Sequence, residues 1–117
     1  MKDFDERISI IAKAISDKKG FDIKILDLKK LTPIADYFVI VSGNSTTQVT
    51  AISDEIQRKM DEAGFELYGK EGYTSSRWIL LDYGDIVAHV FHKDNRDFYN
   101  IEKLWIDGEE LVLDNLF

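Results

Sequence analysis

The stretch Arg77-Trp78-Ile79-Leu80-Leu81-Asp82-Tyr83-Gly84-Asp85-Ile86-Val87-Ala88-His89-Val90-Phe91 limits the fold more than any other part of the chain. Two apolar runs rich in β-branched residues flank Asp-Tyr-Gly-Asp, a cluster that turns tightly because glycine tolerates positive φ. The pattern predicts a β-hairpin. Side chains alternate across a strand, so Trp78, Leu80 and Asp82 share one face while Ile79 and Leu81 share the other. Apolar groups on both faces imply central strands covered on both sides, and the hairpin becomes the expected spine of the domain.

A chain of 117 residues suits one domain with a single modest core. No apolar run approaches the length needed to span a bilayer, and Met1 to Glu6 lacks the apolar segment of a signal peptide. A cytoplasmic protein is therefore expected. The absence of cysteine removes disulfides and thiolate metal sites. A net charge of −7, with lysines scattered except at Lys18-Lys19 and Lys29-Lys30, argues against gripping nucleic acid through phosphates. It favours a basic protein partner, which opposite potentials would steer into place.

Along the chain, Ile8, Ile11, Ala12 and Ile15 follow helical spacing over residues 3–19, with Asp3 and Glu6 as a capping box and Gly20 as the stop. Lys18 and Lys19 are expected in the last turn of that helix. Residues 22–28 have a strand's composition, Lys29 to Pro33 a loop's, and Asp36 to Ser42 read as a second central strand. Asp36 and Tyr37 stand at its entrance. Ser45-Thr46-Thr47-Gln48 opens a second helix whose stripe is Val49, Ile52, Ile56, Met60 and Ala63, ended by Gly64. Phe65 to Tyr68 reads as a short strand, residues 69–76 as a polar loop, and Phe98 to Trp105 as a last helix capped by Asp94 or Asn95, with Phe98, Ile101, Leu104 and Trp105 toward the sheet. The division expected is a single domain over residues 1–105 and an acidic, apolar tail over 106–117. For that tail an edge strand, a contact with another copy and a mobile end all remain open.

Little in this sequence is catalytic. His89 and His92 are three apart on one strand, hence on opposite faces and poorly placed to share a metal. No Gly-x-Ser-x-Gly and no Walker loop occurs. The Gly43 to Ser45 turn sits where a strand meets a helix start, a place that can hold phosphate. No paired carboxylates follow it to hold a divalent ion, however. A binding reading has more support: Trp78, Leu80, Tyr37 and Tyr83 as an aromatic and aliphatic surface, with Asp36, Asp82, Asp85 and Glu71 as acidic surroundings. Trp78 as an ordinary core residue is the competing reading.

At these residues the sequence resembles the Iojap family of ribosomal silencing factors, across nearly all of residues 3–105. The matching pieces are Ala35 to Ile40 leading to Ser42-Gly43-Asn44-Ser45, then Glu71-Gly72, then Trp78 with Asp82-Tyr83-Gly84-Asp85 and His89, and last Tyr99 through Glu102 with Leu104 and Trp105. The resemblance implies an α/β fold with a mixed central sheet of about five strands flanked by helices, nucleotidyltransferase-like without the catalytic carboxylates. It implies no enzyme and no cofactor. It further implies binding to ribosomal protein uL14 on the large ribosomal subunit, a block on subunit joining that represses translation, and a homodimer when free. The partner-binding residues it implies are Trp78, Leu80, Asp82 and Tyr83, with Asp36, Tyr37 and Glu71 as neighbours and His89 included. The main rival is a nucleotide-binding or nucleotidyl-transferring enzyme using Gly43 to Ser45.

Overall fold

The computed structural model describes residues 6–101, residue 103 and the backbone of Glu109–Glu110. Helix α1 runs Glu6–Asp17, β1 Phe21–Asp27, β2 Tyr37–Gly43 and α2 Thr46–Glu62. Strand β3 is Gly69–Glu71, β4 Trp78–Asp82, β5 Ile86–His92, α3 Lys93–Tyr99 and β6 Glu109–Glu110. Asp3, named above in the first capping box, and Leu104 and Trp105 of the expected last helix lie outside the described residues. So does the tail, apart from β6.

Among the described residues, six strands form one mixed sheet in the order β3-β4-β5-β2-β1-β6. Only β2 and β5 pair in parallel, and every other neighbouring pair is antiparallel. The hairpin is as expected: Tyr83 N–H donates to the Ile86 carbonyl at 2.9 Å, and Gly84 takes φ 87° while its N–H donates to the Asp82 carboxylate at 2.8 Å. Its strand β5 lies beside β2 at the middle of the sheet. Beyond residue 105, β6 pairs with β1, so of the three possibilities for that segment the described part is an edge strand.

Helices α1 and α2 cover one face. Ile8, Ile11 and Ile15 of α1 and Val49, Ile52, Ile56 and Met60 of α2 are fully buried against Val39, Val41, Ile79, Leu81, Ile86 and Val90. The stripes read from the sequence are the ones that bury, except for Ala63, which caps the end of α2 and is exposed. The start of α2 is fixed by Ser45, whose Oγ accepts the Gln48 N–H at 3.1 Å, while Gln48 Oε1 accepts the Asn44 N–H at 2.6 Å. The Gln48 amide also donates to the carbonyls of Lys18 and Lys19, which ties the end of α1 to the start of α2. At the other end of α2, Gly64 and Phe65 donate to Asp61 and Met60, closing the helix with paired backbone bonds.

Three local expectations are corrected. Helix α1 stops at Asp17, with Lys18 and Lys19 past its last turn, and Lys19 rather than Gly20 takes the left-handed conformation (φ 62°). Gly20 is required instead by close packing, since a Cβ there would lie 2.7 Å from Ile15 and 2.8 Å from Val41. Phe65 to Tyr68 is a connection, with Phe65 and Leu67 packed on the core, and pairing with β4 begins only at the Tyr68 N–H to Asp82 carbonyl bond of 2.8 Å. The last helix begins at Lys93, because the His92 imidazole accepts the Asp94 N–H at 3.2 Å and serves as its cap. Asn100 ends it in the left-handed conformation, which leaves Phe98 80% exposed and buries Arg96 instead.

Candidate functional site

On the face away from α1 and α2, cross-strand partners line up in rows. One row is Lys24, Ile40, His89, Leu80 and Glu71; the next is Leu26, Phe38, Val87 and Asp82. A third, Ser42, Phe91 and Trp78, lies under the α3 end. Ile101 packs with Leu26, Leu28, Ile40 and Phe91, covering the β1–β2 side. Towards β4 and β3 the face is open among the described residues, and Phe38, Leu80, Asp82 and Val87 are half-buried there.

Five residues expected from the sequence therefore share this face: Trp78, Leu80, Asp82, Glu71 and His89. Trp78 is half-buried and held on three sides. Its ring stacks on Phe91 with centroids 4.8 Å apart, meets Tyr99 at 4.9 Å, and its indole N–H donates to His89 Nδ1 at 3.1 Å. His89 is only 4% exposed, and burial pulls its pKa down to about 4, so it is neutral at pH 7. With Nδ1 accepting, the imidazole proton sits on Nε2. That buried Nε2 has no hydrogen-bond partner among the described residues. His89 thus supports the surface from beneath by orienting Trp78, with almost none of its own area to offer.

The two tyrosines are corrected. Tyr37 and Tyr83 are 4% and 2% exposed and belong to the core on the helix side. The alternation that groups Trp78, Leu80 and Asp82 sends Tyr83 the other way with Ile79 and Leu81, and Tyr37 goes with Val39 and Val41. The Tyr37 hydroxyl bonds the Lys29 ammonium, which also lies 4.2 Å over the ring. That hydrogen bond, then the one to Asp27, holds the Lys29 pKa above the usual lysine range. Asp36 stands where expected, at the entrance to β2: its N–H donates to the Asp85 carbonyl at 2.7 Å. It shares the sheet's acidic end with Asp82 and Asp85, where Arg7 approaches the Asp85 carboxylate at 3.7 Å.

Several residues escaped the sequence reading. Val87 and Phe38 join the open face through strand register alone. In the loop before β2, Ile34 is 75% and Leu31 44% exposed, and Tyr68 beside the hairpin turn is 68% exposed. Leu31-Thr32-Pro33-Ile34 offered a signal, apolar residues in a loop where polar turn residues are the rule. The Gly43 to Ser45 turn, by contrast, is closed. Its Asn44 N–H is taken by Gln48, Ser45 Oγ is used in capping, and a Cβ on Gly43 would lie 3.1 Å from Val49.

Against known proteins, the family model described as "Ribosomal silencing factor during starvation" matches residues 1–116. The chain belongs to the ribosomal silencing factor family. Its family match runs past Trp105, the last residue on which the motifs above rest. A ribosomal silencing factor of Bacillus subtilis is 48% identical over 107 residues, spanning 92% of this chain and 91% of that one. A crystal structure of a Chromobacterium violaceum protein superposes with a TM-score of 0.85 at 39% identity, covering 92% of this chain and 88% of that one. Similarity extends to a mouse protein named for mitochondrial assembly of the ribosomal large subunit, 29% identical over 84% of this chain and 44% of that one. Among the described residues of this family member, no helix is long and apolar enough to cross a membrane.

Proposed function

We propose that this chain represses translation by occlusion: it binds ribosomal protein uL14 on the large ribosomal subunit and keeps the small subunit from joining. The observation that carries the reading is the open sheet face, where Leu80, Val87 and Phe38 beside Trp78 make an apolar strip flanked by Glu71 and Asp82. Apolar centres within polar rims are the anatomy of protein interfaces. A net charge of −7 suits a basic ribosomal protein. Family membership and the ribosomal name of the mouse relative support the ribosome as target. A surface of roughly 800 Å² per partner is enough for stable binding. Occlusion needs no catalytic group, and the protein is read as a non-enzymatic factor of the cytoplasm. When free, it closes the same face against a second copy, so the homodimer and the ribosome compete. Asp36 belongs to the rim of this surface; Tyr37 and Tyr83 support it from the core.

The test is co-sedimentation with separated ribosomal subunits. Wild type pellets with the large subunit alone, and Leu80→Arg stays in the supernatant while retaining its fold. Trp78→Ala weakens binding by about 2 kcal/mol or more, partly through lost support from Phe91 and Tyr99. A folded wild type that pellets with neither subunit overturns the proposal.

A further inference from the structure

At the β3 edge of the sheet, the connection from β3 to β4 reaches over to α2. Over residues 69–77 Ser76 is the one buried residue, so the hydrophobic core does not hold this segment. Polar bonds hold it instead. The Tyr73 hydroxyl donates to the Asp54 carboxylate at 2.8 Å. The Lys70 ammonium donates to Gln57 Oε1 at 3.3 Å and lies 4.2 Å over the Tyr73 ring. Ser76 Oγ donates to the Tyr73 carbonyl at 2.9 Å and stands 2.6 Å from Thr50 Oγ1. With the Ser76 proton so committed, the Thr50 hydroxyl is the donor of that pair. Thr50, Asp54 and Gln57 follow the i, i+4, i+7 spacing of a single stripe on α2.

The backbone is constrained where these bonds converge. Ser76 takes φ 56°, a left-handed conformation that serine rarely adopts, and its N–H donates to the Gly72 carbonyl at 3.0 Å. Gly72 has φ 80°, and a Cβ there would lie 1.9 Å from the Trp78 carbonyl oxygen. That neighbour is main chain, with no rotamer by which to yield. The loop therefore seats directly on the peptide of Trp78, and Glu71, next to Gly72, pairs with Leu80. Unfavourable backbone conformations persist where the surroundings over-determine them, and they cluster at functional sites.

We propose that this loop is a clasp that positions the docking surface, with Thr50, Asp54, Gly72 and Tyr73 as its positioning residues. The inference rests on the sheet-face reading and says how that face keeps its shape. Three bonds to α2 seat Gly72 against Trp78, and so set Trp78 and Glu71 relative to Leu80. A surface held in its bound arrangement associates more tightly, because less freedom is lost on docking. A helix on the sealed side thus shapes the opposite face.

The full chain is tested as Thr50→Val/Tyr73→Phe, which removes two of the bonds and leaves every side chain of the sheet face in place. Its co-sedimentation with the large subunit is expected to weaken about tenfold. Asp54→Ala weakens it severalfold, whereas Asp54→Asn, whose side-chain oxygen still accepts from Tyr73, behaves as wild type. Gly72→Ala weakens it most. A merely structural role would lower amide protection everywhere. The clasp predicts faster exchange in the double variant at Gly69–Glu71 and residues 78–80, unchanged exchange at Val39, Val41 and Val90, and a shifted Trp78 indole N–H resonance. Unchanged pelleting of the double variant, or protection lost evenly across the sheet, overturns the proposal. A wild type that pellets with neither subunit sinks the sheet-face reading, and the exchange pattern alone then decides whether the clasp holds.

Discussion

The two faces of one sheet have been put to different uses. Beneath α1 and α2, isoleucines, valines and Leu81 are sealed completely, with the polar atoms of Tyr37, Tyr83 and Ser53 buried among or beside them. The opposite face mixes Trp78, His89 and Phe38 with Lys24, Asp82 and Glu71, and α3 covers only one end of it among the described residues. A face built for stability is uniform and close-packed. One kept for another molecule retains half-exposed apolar area with charge around it.

Paired truncations break the comparison most forcefully. Ile52→Ala on the sealed face is expected to cost about 2–5 kcal/mol, whereas Leu80→Ala on the open face costs under about 1 kcal/mol yet abolishes most ribosome binding. Urea unfolding of both variants beside pelleting decides; equal stability losses would show the open face to be a second core.

His89 sharpens the comparison, being a polar residue buried on the face that is otherwise open. Its folded pKa of about 4 lies below the ordinary histidine value of 6.5. Between these values the unfolded chain binds more protons, so stability is full above pH 6.5 and falls as pH drops toward 4. The loss reaches roughly 3 kcal/mol. His89→Gln should flatten that part of the stability profile relative to wild type and loosen Trp78, visible as a shift in tryptophan fluorescence. A profile as steep as wild type's would remove His89 from this role.

The smallest effect concerns the join between α1 and α2 that seals the helix side. Ser45→Ala removes one helix cap and should lower stability by about 1 kcal/mol without altering ribosome binding. Thermal unfolding and pelleting together check it.

Much of this contrast could be read from the chain beforehand. Alternation with a turn signal located the hairpin, and helical spacing located the sealing stripes on α1 and α2. The same alternation, carried one residue further, would have put Tyr83 with Ile79 and Leu81; grouping it with Trp78 followed the motif and neglected the geometry. Strand β3 was hidden because Gly69-Lys70-Glu71 has no strand propensity and exists only through its pairing with β4. Glu71 reached the open face by that route. Helix α3 began earlier than expected because an imidazole is a rare cap, and the usual serine, threonine, aspartate or asparagine search passes over His92.

The parallel contact between β2 and β5 bears on how the chain is made. Tyr37 pairs beside Ile86 and Gly43 beside His92, about fifty residues apart in sequence. During synthesis β2 emerges with one edge already served by β1, while its other edge waits for nearly half the chain. Until His92 has cleared the exit tunnel, a strand of Phe-Val-Ile-Val stands with its backbone unpaired, able to join any other extended segment. The latest central strand, more than any helix, therefore sets when this molecule becomes safe from aggregation.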